Sequence, residues 1–124
     1  MITIEQLKEV KERTESLNRY LDIDGKKMQY EEEQIRTQDP SFWEDAKRAE
    51  AQMKLVKGLE KWIKDYAAVE TLVSELETAF EFFREELVSE EEVDDLYART
   101  LAAVEDLELK NMLREEADQM DCVL

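Results

Sequence analysis

The sequence predicts an all-α fold: a long antiparallel helical hairpin with one or two shorter N-terminal helices packed on it. The 124 residues include only two glycines and one proline, too few for the turns of a strand-rich protein. Charged residues make up 40% of the chain and apolar residues 43%, a mixture typical of long helices or coiled coil and not of disorder. Apolar residues also recur at steps of three and four over long stretches, which is the period of an α-helix.

A first helix is predicted close to the N-terminus. Thr3 and Gln6 have the spacing of a capping box, in which two side chains satisfy free backbone amides at a helix start. Two pairs, Glu9–Arg13 and Glu15–Arg19, have the charge order that stabilises a helix at a separation of four. The apolar positions then share one face, and they are Leu7, Val10, Leu17 and Leu21.

A second, shorter helix is predicted after an interruption at residues 22–25. Asp22 and Asp24 are both suited to cap it, because a short carboxylate accepts hydrogen bonds from free amides at a helix start. We expect this helix to run to about Thr37. Its apolar residues are sparse, and we expect Met28 and Ile35 to anchor it.

The third helix is predicted to begin at Pro40 and to continue to about Val88. Asp39 is suited to the cap position and Pro40 to the first helical position, where a missing N–H costs nothing. Such a helix would be about 65 Å long and needs a partner along its apolar side. The predicted seam consists of Met53, Val56, Leu59, Ile63, Tyr66, Val69, Val73, Leu76, Phe80, Phe83 and Leu87.

Ser89 and Glu92 have the spacing of a second capping box and predict a last helix. The connection before it is short, which places consecutive helices antiparallel. Its predicted seam consists of Val93, Leu96, Tyr97, Leu101, Val104, Leu107 and Met112.

The formal net charge of −16 is unevenly distributed. Residues 1–69 carry 13 basic and 15 acidic residues, and residues 70–124 carry 4 basic and 18 acidic residues. A strongly acidic surface repels phosphate, so we expect contact with a basic protein surface, or plain solubility, and not wrapping of nucleic acid.

The densest acidic cluster supplies the candidate partner-contact residues, Glu90, Glu91, Glu92, Asp94 and Asp95. The cluster would suit a hard cation or a basic docking partner. A solvated helix start is the favoured interpretation, because negative charge also stabilises the positive end of the helix dipole. The cluster lacks the alternating ligands and central glycine of a calcium loop.

Catalytic chemistry is not expected in this chain. It has no histidine and one cysteine, Cys122, which excludes histidine-based triads and zinc clusters within it. No glycine-rich phosphate loop occurs, and we expect no metal, cofactor or small-molecule ligand. The tryptophans and phenylalanines are at helical spacing and are expected to pack. Phe82 does not share the face of Phe80 and Phe83, and we expect it either to cover a second helix or to stay partly exposed. With no apolar signal core and no membrane-length run, a cytoplasmic location is expected.

Three segments resemble a known family in their order and spacing. They are Leu17 to Lys27 with its Tyr-Leu-Asp core, Asp39 to Ala46 with Asp-Pro-x-Phe-Trp, and the run from Leu107 to Leu124. Together they resemble the N-terminal helical domain of bacterial peptide chain release factor 2. The related factor for UAA and UAG is less similar, because it lacks the first two elements.

The resemblance implies that residues 1–118 form the N-terminal domain of a longer factor and that residues 119–124 begin the next domain. It implies a parent that recognises UGA and UAA stop codons and promotes peptidyl-tRNA hydrolysis. The Ser-Pro-Phe and Gly-Gly-Gln tripeptides that carry these activities are absent from this sequence. The implied partner is the ribosome near the stalk base of the large subunit, and we expect a basic ribosomal protein to be contacted there. The alternative is a standalone helical scaffold that binds protein partners or self-associates.

Overall fold

The computed structural model describes the backbone of residues 1–123 and the side-chain surroundings of residues 1–117. Four α-helices and one short 3₁₀ helix account for almost all of this part of the chain, which contains no strand. The α-helices are α1 (Ile4–Leu21), α2 (Ile23–Thr37), α3 (Ala46–Arg84) and α4 (Glu90–Val123), and the 3₁₀ helix is Pro40–Glu44. The predicted all-α class is confirmed.

The hairpin of α3 and α4 is confirmed by two buried clusters along its length. In the first, Tyr66 and Val69 of α3 contact Val104 and Leu107 of α4. In the second, Leu76 of α3 packs with the earlier part of α4. Later residues of α3 therefore meet earlier residues of α4, as antiparallel helices require. The 39 residues of α3 extend about 58 Å.

Helix α1 closes both clusters from one side. Val10, Leu17 and Leu21 are buried in the first cluster, and Leu7 is buried in the second. The predicted capping box between Thr3 and Gln6 is present at the start of α1. The core is therefore formed mainly by α1, α3 and α4, with Ile23 of α2 added at one end.

Ion pairs between helices add to this packing. Lys11 on α1 pairs with Glu77 on α3 at 2.8 Å, and Arg13 on α1 forms a two-point contact with Glu108 on α4. The Glu108 carboxylate raises the pKa of the Arg13 guanidinium above its ordinary value. The pairs predicted within α1 do not form, because Arg13 reaches across to α4 and Arg19 donates to the Ser16 hydroxyl.

The predicted anchors of α2 were wrong. Met28 and Ile35 are 65% and 66% exposed, and the buried residues of α2 are Ile23 and Glu33. Ile23 lies in the core at the first position of α2. Successive residues of an α-helix are rotated by about 100° around its axis. Met28 and Ile35 therefore lie about 140° and 120° around the axis from Ile23 and face solvent. Glu33, in contrast, faces α3 and accepts a hydrogen bond from Gln52.

The predicted start of the third helix at Pro40 was also wrong. Asp39 does act as a cap, since its carboxylate accepts from the Ser41 amide at 3.0 Å, but it caps only the 3₁₀ helix. Asp45 then accepts from the amides of Lys47 and Arg48 and begins α3 at Ala46. The Trp43 indole donates a hydrogen bond to the Thr37 carbonyl at 2.9 Å. This bond connects the 3₁₀ helix to the end of α2.

The hairpin turn comes earlier than Val88. Glu86 has a left-handed φ of 63°, and the Leu87 amide donates to the Phe82 carbonyl at 2.9 Å. This is the hydrogen-bond pattern of a Schellman motif, which ends a helix. Leu87 consequently lies outside the seam and is exposed.

Two other seam assignments also differ from the structure. Met53 on α3 is 36% exposed and is absent from the buried clusters, and on α4 the predicted Met112 is exposed while its neighbour Asn111 is buried. The expected domain boundary between residues 118 and 119, and Cys122, lie outside the residues whose side chains are described.

Asp22 alone joins α1 to α2. Its backbone is left-handed, with φ 48° and ψ 57°, and its carboxylate accepts from the Gly25 amide at 3.3 Å. A Cβ at Gly25 would stand only 2.7 Å from Asp22 Cγ. An alanine at position 25 would therefore have to displace the capping carboxylate of Asp22.

We expect Asp22→Ala to lower the free energy of unfolding by about 1–2 kcal/mol, because the cap is lost and alanine is strained at a left-handed φ. Asp22→Gly should cost less, since glycine adopts that φ freely. Gly25→Ala should destabilise the protein only while Asp22 is present, and should be neutral or stabilising in the Asp22→Gly background. Urea denaturation of the unchanged chain, the three single variants and the double variant Asp22→Gly/Gly25→Ala tests this. Equal effects of Gly25→Ala in both backgrounds would contradict it.

Candidate functional site

The candidate acidic residues lie on the first two turns of α4, beside the hairpin turn. The Ser89 hydroxyl accepts a hydrogen bond from the Glu92 amide at 3.2 Å, which fixes where the helix starts. The free amides and the dipole at this end favour negative charge. The cluster is therefore placed where the backbone itself stabilises it.

Two of the five carboxylates hold the N-terminus of the chain. The Met1 amino group lies 2.7 Å from Glu90 and 3.2 Å from Asp94, and the Ile2 amide donates to Asp94 at 3.0 Å. Hydrogen bonding to Glu90 and then to Asp94 raises the pKa of this amino group above its ordinary value. These two residues therefore have a structural partner.

The other three carboxylates face solvent. Asp95 lies 3.3 Å from Arg99 in an exposed pair of the same helix. Glu91 and Glu92 are exposed, and neither pairs with a basic residue among the residues whose side chains are described. The part of the cluster available to a partner is therefore centred on Glu91 and Glu92.

Sequence reasoning missed the docking of the N-terminus onto α4. Ile2 is buried in the second cluster together with Leu7. These residues occupy the two positions of a hydrophobic staple, one before the Thr3 cap and one in the first turn of α1. The sequence feature that indicates this docking is the apolar Ile2 directly before the capping residue Thr3.

The described side chains show no metal-binding cluster. Within residues 1–117, no group of three or more acidic, cysteine or histidine side chains is arranged to hold a metal ion. The packing role predicted for the aromatic residues holds for Trp62, Phe80 and Phe83, which lie against the two clusters. Trp43 is instead substantially exposed, and Phe82 is partly exposed, which is one of the two outcomes expected for it. None of the described helices is long and apolar enough to cross a membrane.

Comparison with known proteins identifies the family. The model of the PCRF domain matches residues 26–124, which include almost all of α2 together with the 3₁₀ helix, α3 and α4. This chain belongs to the PCRF domain family. The matched range leaves out α1, although α1 supplies part of the core of this PCRF domain.

Curated relatives extend the similarity over nearly the whole chain. Peptide chain release factor 2 of Tolumonas auensis is 34% identical over 129 residues, covering 98% of this chain and 34% of the relative. Peptide chain release factor 2 of Acidovorax is 31% identical over 124 residues, covering 94% of this chain and 32% of the relative. The chain thus spans about a third of the length of these relatives. No solved structure matches it significantly.

The contact of the Met1 amine with Glu90 and Asp94 predicts how the stability of the fold depends on pH. The pKa of the Met1 amine is raised from its ordinary value of 8.0. Its contact with the carboxylates therefore stabilises the folded state fully below about pH 8, and this stabilisation is lost as the pH rises through the folded-state pKa. We expect the Glu90→Gln/Asp94→Asn variant to return the pKa of the Met1 amine toward its ordinary value and to flatten this loss. NMR titration of Met1 and urea denaturation from pH 7 to 10 measure both effects. Glu91→Gln/Glu92→Gln makes the same charge change and is the control; an equal effect there would refute the contact.

Proposed function

We propose that this PCRF domain acts in translation termination, as the non-catalytic helical part of a peptide chain release factor 2. The observation that carries the proposal is similarity to such factors over 94–98% of the chain. The rest of the factor would recognise UGA and UAA and promote peptidyl-tRNA hydrolysis. The proposed partner is the ribosome in the cytoplasm, near the stalk base of the large subunit.

The geometry suits a positioning role. Two long helices and α1 share two buried clusters along the hairpin, which join them into one body with a defined end at the hairpin turn. Exposed carboxylates from the end of α3, the turn and the start of α4 gather at that end, namely Glu81, Glu85, Glu86, Glu91 and Glu92. An acidic, exposed end of this kind is complementary to a basic ribosomal protein.

A chimera tests the function. The matched third of release factor 2 from Tolumonas auensis is replaced by this chain, and peptide release is measured on ribosomes halted at UGA. We expect the chimera to release peptide within about tenfold of the parent rate, and a factor lacking the segment to be slower. A chimera no better than the deletion would favour the alternative, a standalone helical scaffold.

Charge reversal tests the acidic end in the same chimera. Glu91→Lys/Glu92→Lys should slow ribosome association by about threefold or more at low salt, with a smaller effect at high salt, because steering by exposed charge is screened. These two residues are chosen because Glu90 and Asp94 hold Met1, so changing them would also disturb α1.

The matched control is Glu31→Lys/Glu32→Lys, an exposed adjacent pair on α2 with the same change in net charge. It should leave association nearly unchanged. Equal slowing by the two variants would mean that only net charge matters and that the hairpin end is not the contact.

A further inference from the structure

Helix α4 has two apolar sides, of which the fold uses one. The inner side, buried against α1 and α3, consists of Val93, Leu96, Thr100, Val104, Leu107 and Asn111. The outer side faces solvent at helical spacing, with Ala98 and Ala102 followed by Leu109, Met112 and Leu113. The last three are 51%, 54% and 54% exposed.

Leu109, Met112 and Leu113 are exposed although α4 has a buried position at the same level. At the same level of α4 the buried residue is Asn111, which is only 8% exposed and accepts a hydrogen bond from Arg114 at 2.9 Å. A polar residue thus lies inside while three large apolar ones lie outside. A helix that is apolar on opposite sides is typical of one covered on both.

Two grooves widen the outer apolar surface. One, of about 350 Å³ between α1 and α4, connects Met112 to the exposed ring of Tyr20. The other, of about 420 Å³ between α3 and α4, connects Leu113 to Trp62. Methionine in such a surface adapts to different partner shapes. The patch is therefore broader than scattered single residues on an ordinary surface.

Carboxylates at the two ends of the patch along the α4 axis indicate the charge of its partner there, whereas the groove beside Leu113 is also lined by the basic residues Lys61, Lys110 and Arg114. Glu105 and Glu116 lie on the same side of α4 as Leu109, about 17 Å apart along the axis, and Glu115 lines the groove beside Met112. None of the three pairs with a basic residue among the described side chains. A second copy would bring the same carboxylates and a further net charge of −16 against them, which disfavours self-association.

We propose that this outer side of α4 binds an amphipathic helix of a partner protein, with an apolar stripe and basic residues about 11 positions apart. The stripe covers Leu109, Met112 and Leu113, and the basic residues meet Glu105 and Glu116. The surface is separate from the Glu91–Glu92 end, and the proposal does not depend on a function in translation.

Binding of a defined probe tests the proposal. The probe is a labelled 18-residue leucine–lysine peptide built as an amphipathic helix, and the control peptide has the same composition in an order that destroys the apolar stripe. Fluorescence anisotropy at about 0.15 M salt, where long-range attraction between exposed charges is screened, gives the Kd. We expect Leu109→Gln/Met112→Gln/Leu113→Gln to weaken probe binding by about 30-fold.

Two further variants make the result specific. Met28→Gln/Ile35→Gln removes apolar residues of α2 that are even more exposed than those of α4 and should leave the Kd unchanged. Glu105→Gln/Glu116→Gln leaves the apolar residues intact and should weaken binding by about threefold to tenfold, less at high salt.

Three results would overturn the proposal. The first is equal binding of the two peptides, and the second is equal weakening by the α2 and α4 variants. The third is a dimer in sedimentation that the α4 variant dissociates, which would make the occupant a second copy of this chain.

Discussion

The apolar side of α3 between Tyr66 and Leu76 is the contact on which the rest of the structure depends. A 39-residue helix gains little from helix propensity alone and needs tertiary packing to persist in water. Both buried clusters contain residues of this stretch, and each also contains residues of α1 and α4. The hairpin and the docking of α1 therefore stabilise each other, because the same side chains of α3 contact both.

The junctions between helices decide which residues meet that seam. Asp22 sets Ile23 against the core and so turns Met28 and Ile35 to solvent. Asp45 sets the start of α3, and the left-handed Glu86 ends it. Each junction depends on one acidic residue, and none has glycine at the position that changes direction. Local hydrogen bonds therefore set where α2 and α3 begin and where α3 ends, while the apolar patterns of α1, α3 and α4 decide which of their residues are buried.

The different contributions of apolar patterns and of hydrogen bonds at helix ends explain which parts of the fold the sequence predicts. Periodicity alone locates the seams of α1, α3 and α4, since Val10, Val73 and Val104 recur at helical spacing and are buried. It fails for α2, where the phase comes from Asp22, and at the hairpin turn, where Glu86 takes a conformation that glycine usually signals. At the candidate site the sequence identifies the acidic residues. It does not reveal that Glu90 and Asp94 hold Met1, because that contact depends on the three-dimensional position of α1.

The position of α1 also explains part of the acidic excess on the hairpin. Lys11, Arg13 and the Met1 amine each contact carboxylates of α3 or α4. Some hairpin carboxylates therefore stabilise the docking of α1 and are not available for binding to another molecule. On α4, the carboxylates left without such a contact lie at its start and around its outer apolar residues, and other exposed carboxylates, such as Glu81, lie near the end of α3. Because α1 neutralises part of one side of the hairpin, the carboxylates that stay available on α4 are those beside the hairpin turn and beside the outer apolar side.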